Sequence, residues 1–528
     1  MLYKRTLAIE EKAFGASHPE VAQTLNNLAV VYEAQGKYAE AEALYKRALA
    51  MREKARGPSH PDVAQTLNNL AVVYAAQDRF VEAEGLNRRA LAINEKALGA
   101  SHPEVARSLT NLAIAYRGQG KYVEAEGHYK RALAIWEKAL GASHPDVAYP
   151  VVFLASLYDA QGRYADAEPL YQRALAIREE ALGPDHRLVA SVLNAWAFNY
   201  YKQGRYAEAE SLYKRSLAIK EKALGPIHPE VAETLGGLAS LYGAAGNSTD
   251  ALAFSRKAAA AVIAHAAAEM PGARQKDKAG GLIEQSADYF RDHVARLAVA
   301  ARAGIEPAPT LGGEALEIAQ WATHSSAAAA LQQMAARFAS GGGALATLVR
   351  ENQDLAAAWR DKDKKLLDAI SQPEAQRDRA AIEALRKEIA GIESRLKALA
   401  GRFDKEFPDY AALASPKPLK TAEVQTLLGA DEALVFWLLG EQESYVFALT
   451  REAFDWKTIA LGRDDLSSKV GAFRRGLGVE AASQPAAGAR KPELFDLGVA
   501  HELYIALLGP VEALVKHKPH LLVVPRAR

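Results

Sequence analysis

The 528-residue chain contains no cysteine. That excludes disulfides, thiolate zinc sites and a cysteine nucleophile. Net charge is also missing: 65 Lys and Arg against 64 Asp and Glu leave +1, with no basic tract of the kind that follows phosphates. Nucleic acid is therefore not an expected partner. No uninterrupted apolar run approaches the roughly 20 residues of a membrane span, so no membrane partner is expected. Gly341-Gly342-Gly343 is not followed by Gly-Lys-Ser/Thr and is not a phosphate loop. No cofactor and no metal are expected, and the expected location is the cytoplasm. The length suffices for several domains.

What the chain has is repetition. His-Pro pairs recur at His18-Pro19, His60-Pro61, His102-Pro103, His144-Pro145 and His228-Pro229, with His186 in register but followed by Arg187. The period is 42 residues. A period between 20 and 50 implies a solenoid whose units bury their apolar faces only by stacking. Within one unit, Pro19 suits a first helical turn, and Val21, Leu25, Leu28 and Tyr32 recur at helical spacing, giving helix A from Pro19 to about Gln35. Gly36 supplies a residue tolerant of positive φ, and Tyr38, Ala41, Leu44, Tyr45, Ala48 and Leu49 stripe helix B. Asp78 occupies the glycine position in the second copy, where some strain is expected.

Small residues mark the contacts. Ala29, Ala71, Ala113, Ala155, Ala197 and Ala239 share one place in helix A; Ala41, Ala83, Ala125, Ala167, Ala209 and Ala251 share one in helix B. Larger side chains would overpack helices at about 8–10 Å separation. The six in-register histidines read as caps or packing groups, since 42 residues separate each from the next and no ligand pair is local. Lys46-Arg47 and Lys130-Arg131, set among Glu40, Glu42 and their equivalents, read as a solvated mixed-charge face.

The pattern Leu28-Ala29, Tyr32, Gly36, Tyr38, Ala41, Tyr45 and Ala48 resembles the tetratricopeptide repeat, and the 42-residue form with its HPEVA start and LNNLA core resembles the repeats of kinesin light chain. The resemblance implies a superhelix whose inner groove is lined by the A helices and takes a protein or peptide ligand. In that groove one row reads Asn27, Asn69, Asn111, Phe153, Ala195 and Gly237. The row one residue earlier reads Asn26, Asn68, Thr110, Val152, Asn194 and Gly236. The expected peptide-binding residues are Asn27, Asn69, Asn111, Asn26, Asn68 and Asn194, because an amide offers both a donor and an acceptor to an extended backbone. The alternative is that these amides satisfy groups inside the stack. Self-association of the array is a further partner to consider.

Met1–Ile9 aligns with Ala43–Met51 as a helix B without its helix A, so the expectation is a chain lacking its natural beginning. The array runs over residues 1–258, a closing helix and linker over 259–281, and a helical spacer over 282–425. In the spacer, Leu348, Leu355, Trp359, Leu366 and Ile370 face Ile382, Leu385, Ile389, Ile392, Leu396, Leu399 and Phe403 across a turn at Gln372-Pro373, an antiparallel hairpin with a heptad seam. After residue 430 three short strands form a meander, helices follow near 466–477 and 494–515, and the apolar run Leu521–Val524 suits a strand buried on both faces.

The segments WATHSSAAAALQQMAARF (321–338), PDYAALASPKPL (408–419), ALVFWLLGEQESYVFALT (433–450) and HELYIALLGPVEALVKHKPHLLVVP (501–525) resemble the front half of a CHAT domain, a caspase-like peptidase domain often found behind bacterial tetratricopeptide repeats. The family's catalytic histidine and cysteine would lie beyond Arg526-Ala527-Arg528, so none of its catalytic residues transfers and this chain is not expected to be an enzyme. The expected fold is thus mainly α: a solenoid, a helical hairpin spacer, then an incomplete α/β caspase-like domain over 426–528. The expected function is a binding scaffold, with a fragment of a cysteine peptidase as the alternative.

Overall fold

The computed structural model describes residues 2–15, 18–34, 38–269, 286–323, 343–414, 418–477 and 496–524. Gly36, the linker 270–281, most of the 321–338 segment, Pro416 and Arg526–Arg528 lie outside them. Met1–Ala223 and Asp368–Arg379 belong to one compact unit; Leu224–Ala273, Ala279–Leu367 and Ala380–Arg528 belong to a second.

The first unit opens with α1 (Leu2–Phe14), the lone helix B. Five helix pairs follow: α2 (Pro19–Ala34) with α3 (Tyr38–Arg56), α4 (Pro61–Ala75) with α5 (Phe80–Leu98), α6 (Pro103–Gly118) with α7 (Tyr122–Leu140), α8 (Ala148–Ala160) with α9 (Tyr164–Leu182), and α10 (Arg187–Lys202) with α11 (Tyr206–Leu224). The A helices share one start, although at the fourth repeat His144 caps a 3-10 turn, Pro145–Val147, that leads into α8. The Nδ1 of His18, His60, His102, His144 and His186 accepts the backbone N–H two residues on, at 3.0–3.3 Å. One of the four orphan donors of a helix start is thereby satisfied. The A-to-B turns use positive φ at Asp78 (60°), Gly120 (75°), Gly162 (71°) and Gly204 (74°). Asp78 is the only non-glycine residue with positive φ among those described, as its place in the repeat required.

The alanine rows lie at the helix contacts. Ala29, Ala71, Ala113, Ala155 and Ala197, and Ala41, Ala83, Ala125, Ala167 and Ala209, are all fully buried. Two ladders join successive repeats. In one, Arg47, Arg89, Arg131, Arg173 and Arg215 each pair with a glutamate 36 residues earlier on the preceding B helix: Glu11, Glu53, Glu95, Glu137 and Glu179. In the other, a tyrosine and a turn arginine grip one glutamate, as Tyr158 and Arg163 do at Glu126, 3.0 and 2.9 Å away. The face that read as simply solvated therefore also fixes the register between repeats. Each exposed pair contributes only about 0–1 kcal/mol.

The second unit contains α12 (Pro229–Ala244) and α13 (Ser248–Glu269), the sixth repeat pair, then α14 (Ala287–Arg302) and α15 (Ala308–Ala322). Phe290, Val294 and Leu297 of α14 share one core with Leu252, Ala259 and Val262 of α13 and Leu311 and Leu316 of α15. Partly buried Arg–Glu contacts and a buried histidine lock the same helices. Arg256 pairs with Glu306 and Glu314 at 2.6 Å each, and His293 bridges Ser255 (2.8 Å) and Glu314 (3.0 Å). Burial would raise the Glu314 carboxyl, but hydrogen bonds from His293 and Arg256 outweigh it and hold it at about 2.

The hairpin helices α16 (Ala344–Ile370) and α17 (Arg379–Glu406) pack through Leu348, Val349 and Leu355 against Leu396, Leu399 and Phe403. Two short helices, α18 (Pro408–Ala414) and α19 (Thr421–Leu427), lead into strands β1 (Glu432–Leu438), β2 (Ser444–Thr450) and β3 (Phe454–Ile459). Then come α20 (Arg463–Gly476), α21 (Leu497–Leu507), α22 (Glu512–Val515) and β4 (His520–Val523). The sheet order is β3-β2-β1-β4, antiparallel except for β1 with β4. Phe436, Leu438, Tyr445, Phe447 and Leu449 pack on one face with α15 residues, and Val435, Val446, Ala448 and Ile459 pack on the other with Val511, Leu507 and Leu508.

The last strand corrects the sequence reading. Leu521, Leu522 and Val523 are 42%, 42% and 51% exposed, and β4 lies at an edge of the sheet with β1 its one neighbour among the described residues. No single helix among the described residues is long and apolar enough to cross a membrane.

Candidate ligand-binding face of the repeats

The six asparagines divide by a single step along helix A. One residue turns the side chain about 100° around the axis, and that rotation decides between stack and surface. Asn26 and Asn68 are 3% and 1% exposed. Asn68 donates to Ser108 Oγ at 2.9 Å, across to the next repeat's A helix, and Asn26 accepts from Asn69 Nδ2 at 3.3 Å. Burial takes these two out of the expected ligand surface; they hold neighbouring A helices together. Asn27, Asn69 and Asn111 are half-buried, with Asn27 accepting from Gln23 Nε2 at 3.0 Å. Asn194 is also half-buried and engaged within the fold.

The accessible face is wider than the asparagine row. Three residues further along each helix stand Val30, Val72, Ile114, Ser156 and Phe198; Val30, Val72 and Phe198 are exposed. Four residues before the row stand Gln23, Gln65, Arg107, Tyr149 and Ser191, with Tyr149 exposed. Phe153 and Ala195 continue the row itself, half-buried. From α2 to α6 this face carries amides with valine or isoleucine, and Arg107; aromatic residues enter it only at α8 (Tyr149, Phe153) and α10 (Phe198). The sequence signal was present, since i−4, i and i+3 share a helix face, but attention to asparagine alone missed it.

Acidic groups bordering this face are committed to the fold. Glu33 accepts from the Tyr45 hydroxyl at 2.9 Å, and Asp159 accepts from Tyr171 and Asn199 at 2.6 Å each. Burial raises both carboxyls above their ordinary range, and those hydrogen bonds offset the rise only in part. Burial and the adjacent carboxylates push Tyr45 and Tyr171 upward, so both hydroxyls stay protonated donors. Bonds from the B helices, within a repeat and to the next one, hold the A helices in place. Arg52 donates to the Asp62 carbonyl at 2.8 Å and to Gln23 at 2.6 Å, and Arg178 donates to the Leu188 carbonyl at 2.7 Å.

The chain has no cysteine, and among the described residues no group of three or more His, Asp or Glu side chains could hold a metal.

A tetratricopeptide-repeat model matches residues 62–138, 104–180, 146–222 and 188–263, and a second such model matches residues 21–62. No curated protein sequence matches the chain. Among solved structures, a putative kinesin light chain from Podosopora anserina with nearly identical TPR-like repeats is 29% identical. That match covers 39% of this chain and 97% of the other, with a TM-score of 0.34. BtubC (BKLC) from P. vanneervenii is 24% identical over 46% of this chain and 96% of its own, with a TM-score of 0.38. A Rap protein solved with competence and sporulation factor is 16% identical over 61% of this chain and 85% of its own, TM-score 0.40. The two repeat models support a repeat domain over residues 21–263 and do not extend to residues 426–528, whose caspase-like reading is left without support.

Proposed function

With residues 21–263 as a tetratricopeptide-repeat domain, we propose that the chain is a protein-interaction scaffold and that the A-helix face of its first five repeats takes an extended peptide or a protein segment. The supporting observation is the division of the amides. Asn26 and Asn68 are spent inside the stack, while Asn27, Asn69 and Asn111 are only half-buried beside exposed Val30 and Val72. Amides at one repeat spacing offer paired donors and acceptors to a backbone, and the apolar neighbours offer side-chain contact.

The test is an extended peptide selected by display against the wild-type chain. Replacing Asn27, Asn69 and Asn111 together by alanine is expected to weaken its binding on the order of tens of fold, at about 0.5–1.5 kcal/mol for each hydrogen bond lost. Undiminished affinity in a folded triple variant would assign these amides to structure.

A further inference from the structure

Repeats make departures visible, and three of them fall on one corner of the array. The last turns of α3, α5, α7 and α11 carry Lys54, Lys96, Lys138 and Lys222, but α9 has Glu180 there and no basic residue in its last turn. The His-Pro start is broken only at His186-Arg187. The glycine ending each B helix has open space beside it at Gly15, Gly57, Gly99, Gly141 and Gly225, whereas at Gly183 the Glu374 side chain fills that space.

What sits on this corner is the turn 371–379. Arg377 donates from Nη2 to the carbonyl of Leu182, the last residue of α9, at 3.4 Å, and from Nε to the Gln372 carbonyl at 2.8 Å. Its charge stands where α9 has lost its own lysine, at the negative end of the helix dipole. Glu374 pairs with Arg379 at 3.0 Å, which stiffens the turn. Beneath it lies His186, fully buried, although His60 and His144 expose 34% and 39% of their side chains at the equivalent place.

We propose that the turn between α16 and α17 is a reversible clasp on the corner between the fourth and fifth repeats, closed over a neutral His186 and released when that imidazole takes up a proton. Charges around the histidine come from every element packed on it. Arg178 (α9), Arg187 (α10), Arg377 and Arg379 (the turn) are cationic; Glu374 pairs with Arg379, and Asp185 pairs with Lys222 at 2.5 Å. A protonated His186 would be a fifth positive group at their centre, and the two carboxylates named here, Glu374 and Asp185, already have cationic partners. Burial holds the imidazole down at about 4; the Ser371 backbone opposes the shift, and Arg377, Arg187 and Arg178 reinforce it.

The sign follows from linkage. An uncovered His186 with an ordinary value of 6.5 binds a proton on acidification before the covered one does, so acid favours the open form. Between pH 7.5 and 5.5 the closing equilibrium is expected to weaken about tenfold.

The absence of cysteine makes labelling simple. Spin labels at Ala176→Cys and Gln376→Cys in the full chain report the clasp by double electron–electron resonance. One narrow distance population is expected at pH 7.5, broadening to longer distances at pH 5.5, with circular dichroism showing the repeats still folded. His186→Asn keeps the helix cap without a titrating group and is expected to remove the pH response; His144→Asn is expected to leave it intact. Superimposable wild-type distributions at the two pH values would overturn the proposal, as would a His186→Asn variant that opens with acid as the wild type does.

Discussion

The five repeats of the first unit and the sheet of the second are held by the same forces, yet only one of them repeats its solution. In the array each contact is stated several times over: Ala113 is buried for the reason that Ala71 and Ala155 are, and His102 caps as His60 and His144 do. In the sheet each contact occurs once. Phe447 lies between Phe436 and Trp456, at ring separations of 5.5 and 5.9 Å, and no second copy of that layer exists among the described residues. The array therefore spreads its stability over many small, similar interfaces, while the second unit concentrates it in a few large side chains.

That contrast can be broken most sharply at Phe447. Its replacement by alanine removes a fully buried ring from the layer between β2 and α15 and is expected to cost about 3–5 kcal/mol, read as loss of the second unit's unfolding transition while the first unit's persists. Ala113→Leu overpacks one interface of the array and is expected to cost roughly 1–3 kcal/mol, shifting the first unit's midpoint only.

Acid tests a third difference. Glu314 is depressed to about 2 in the folded second unit, so the stability it contributes is complete above its ordinary value of 4.5 and disappears as pH falls from there towards 2. Glu314→Gln is expected to flatten the pH dependence of that unit's unfolding across this window; an unchanged slope would mean that the Arg256 and His293 contacts are not maintained in solution. The smallest effect belongs to the ladder. Arg131→Ala removes one of five B-to-B rungs and is expected to shift midpoint stability by about 0–1 kcal/mol, less at high salt.

The same contrast explains what could be read from the chain. Helix A from Pro19, the turn at Asp78, both alanine rows and the histidine caps were legible because six copies average away local noise. The partition of Asn26 from Asn27 was not, since neighbouring positions differ by a rotation whose zero is set only by packing against the next repeat. The Arg131–Glu95 rung spans 36 residues, a spacing present in the sequence but without meaning until the B helices are stacked. Leu521–Val524 looked like a buried strand because an apolar run records composition and not which neighbours lie beside it; in the fold it is an edge. The Ser255–His293–Glu314 link joins three helices at once, and no period could foreshadow it.

The central claim is that the array binds through its A helices. It is tested most directly by a photo-crosslinking residue placed in turn at Val30, Val72 and Phe198 on A helices and at Val81 and Val123 on B helices, all five exposed, with a display-selected peptide as ligand. Crosslinks are expected from the A-helix positions and not from the more exposed B-helix positions, at 70% and 82%. Crosslinks from Val81 and Val123 alone would place the ligand on the opposite face and contradict the account.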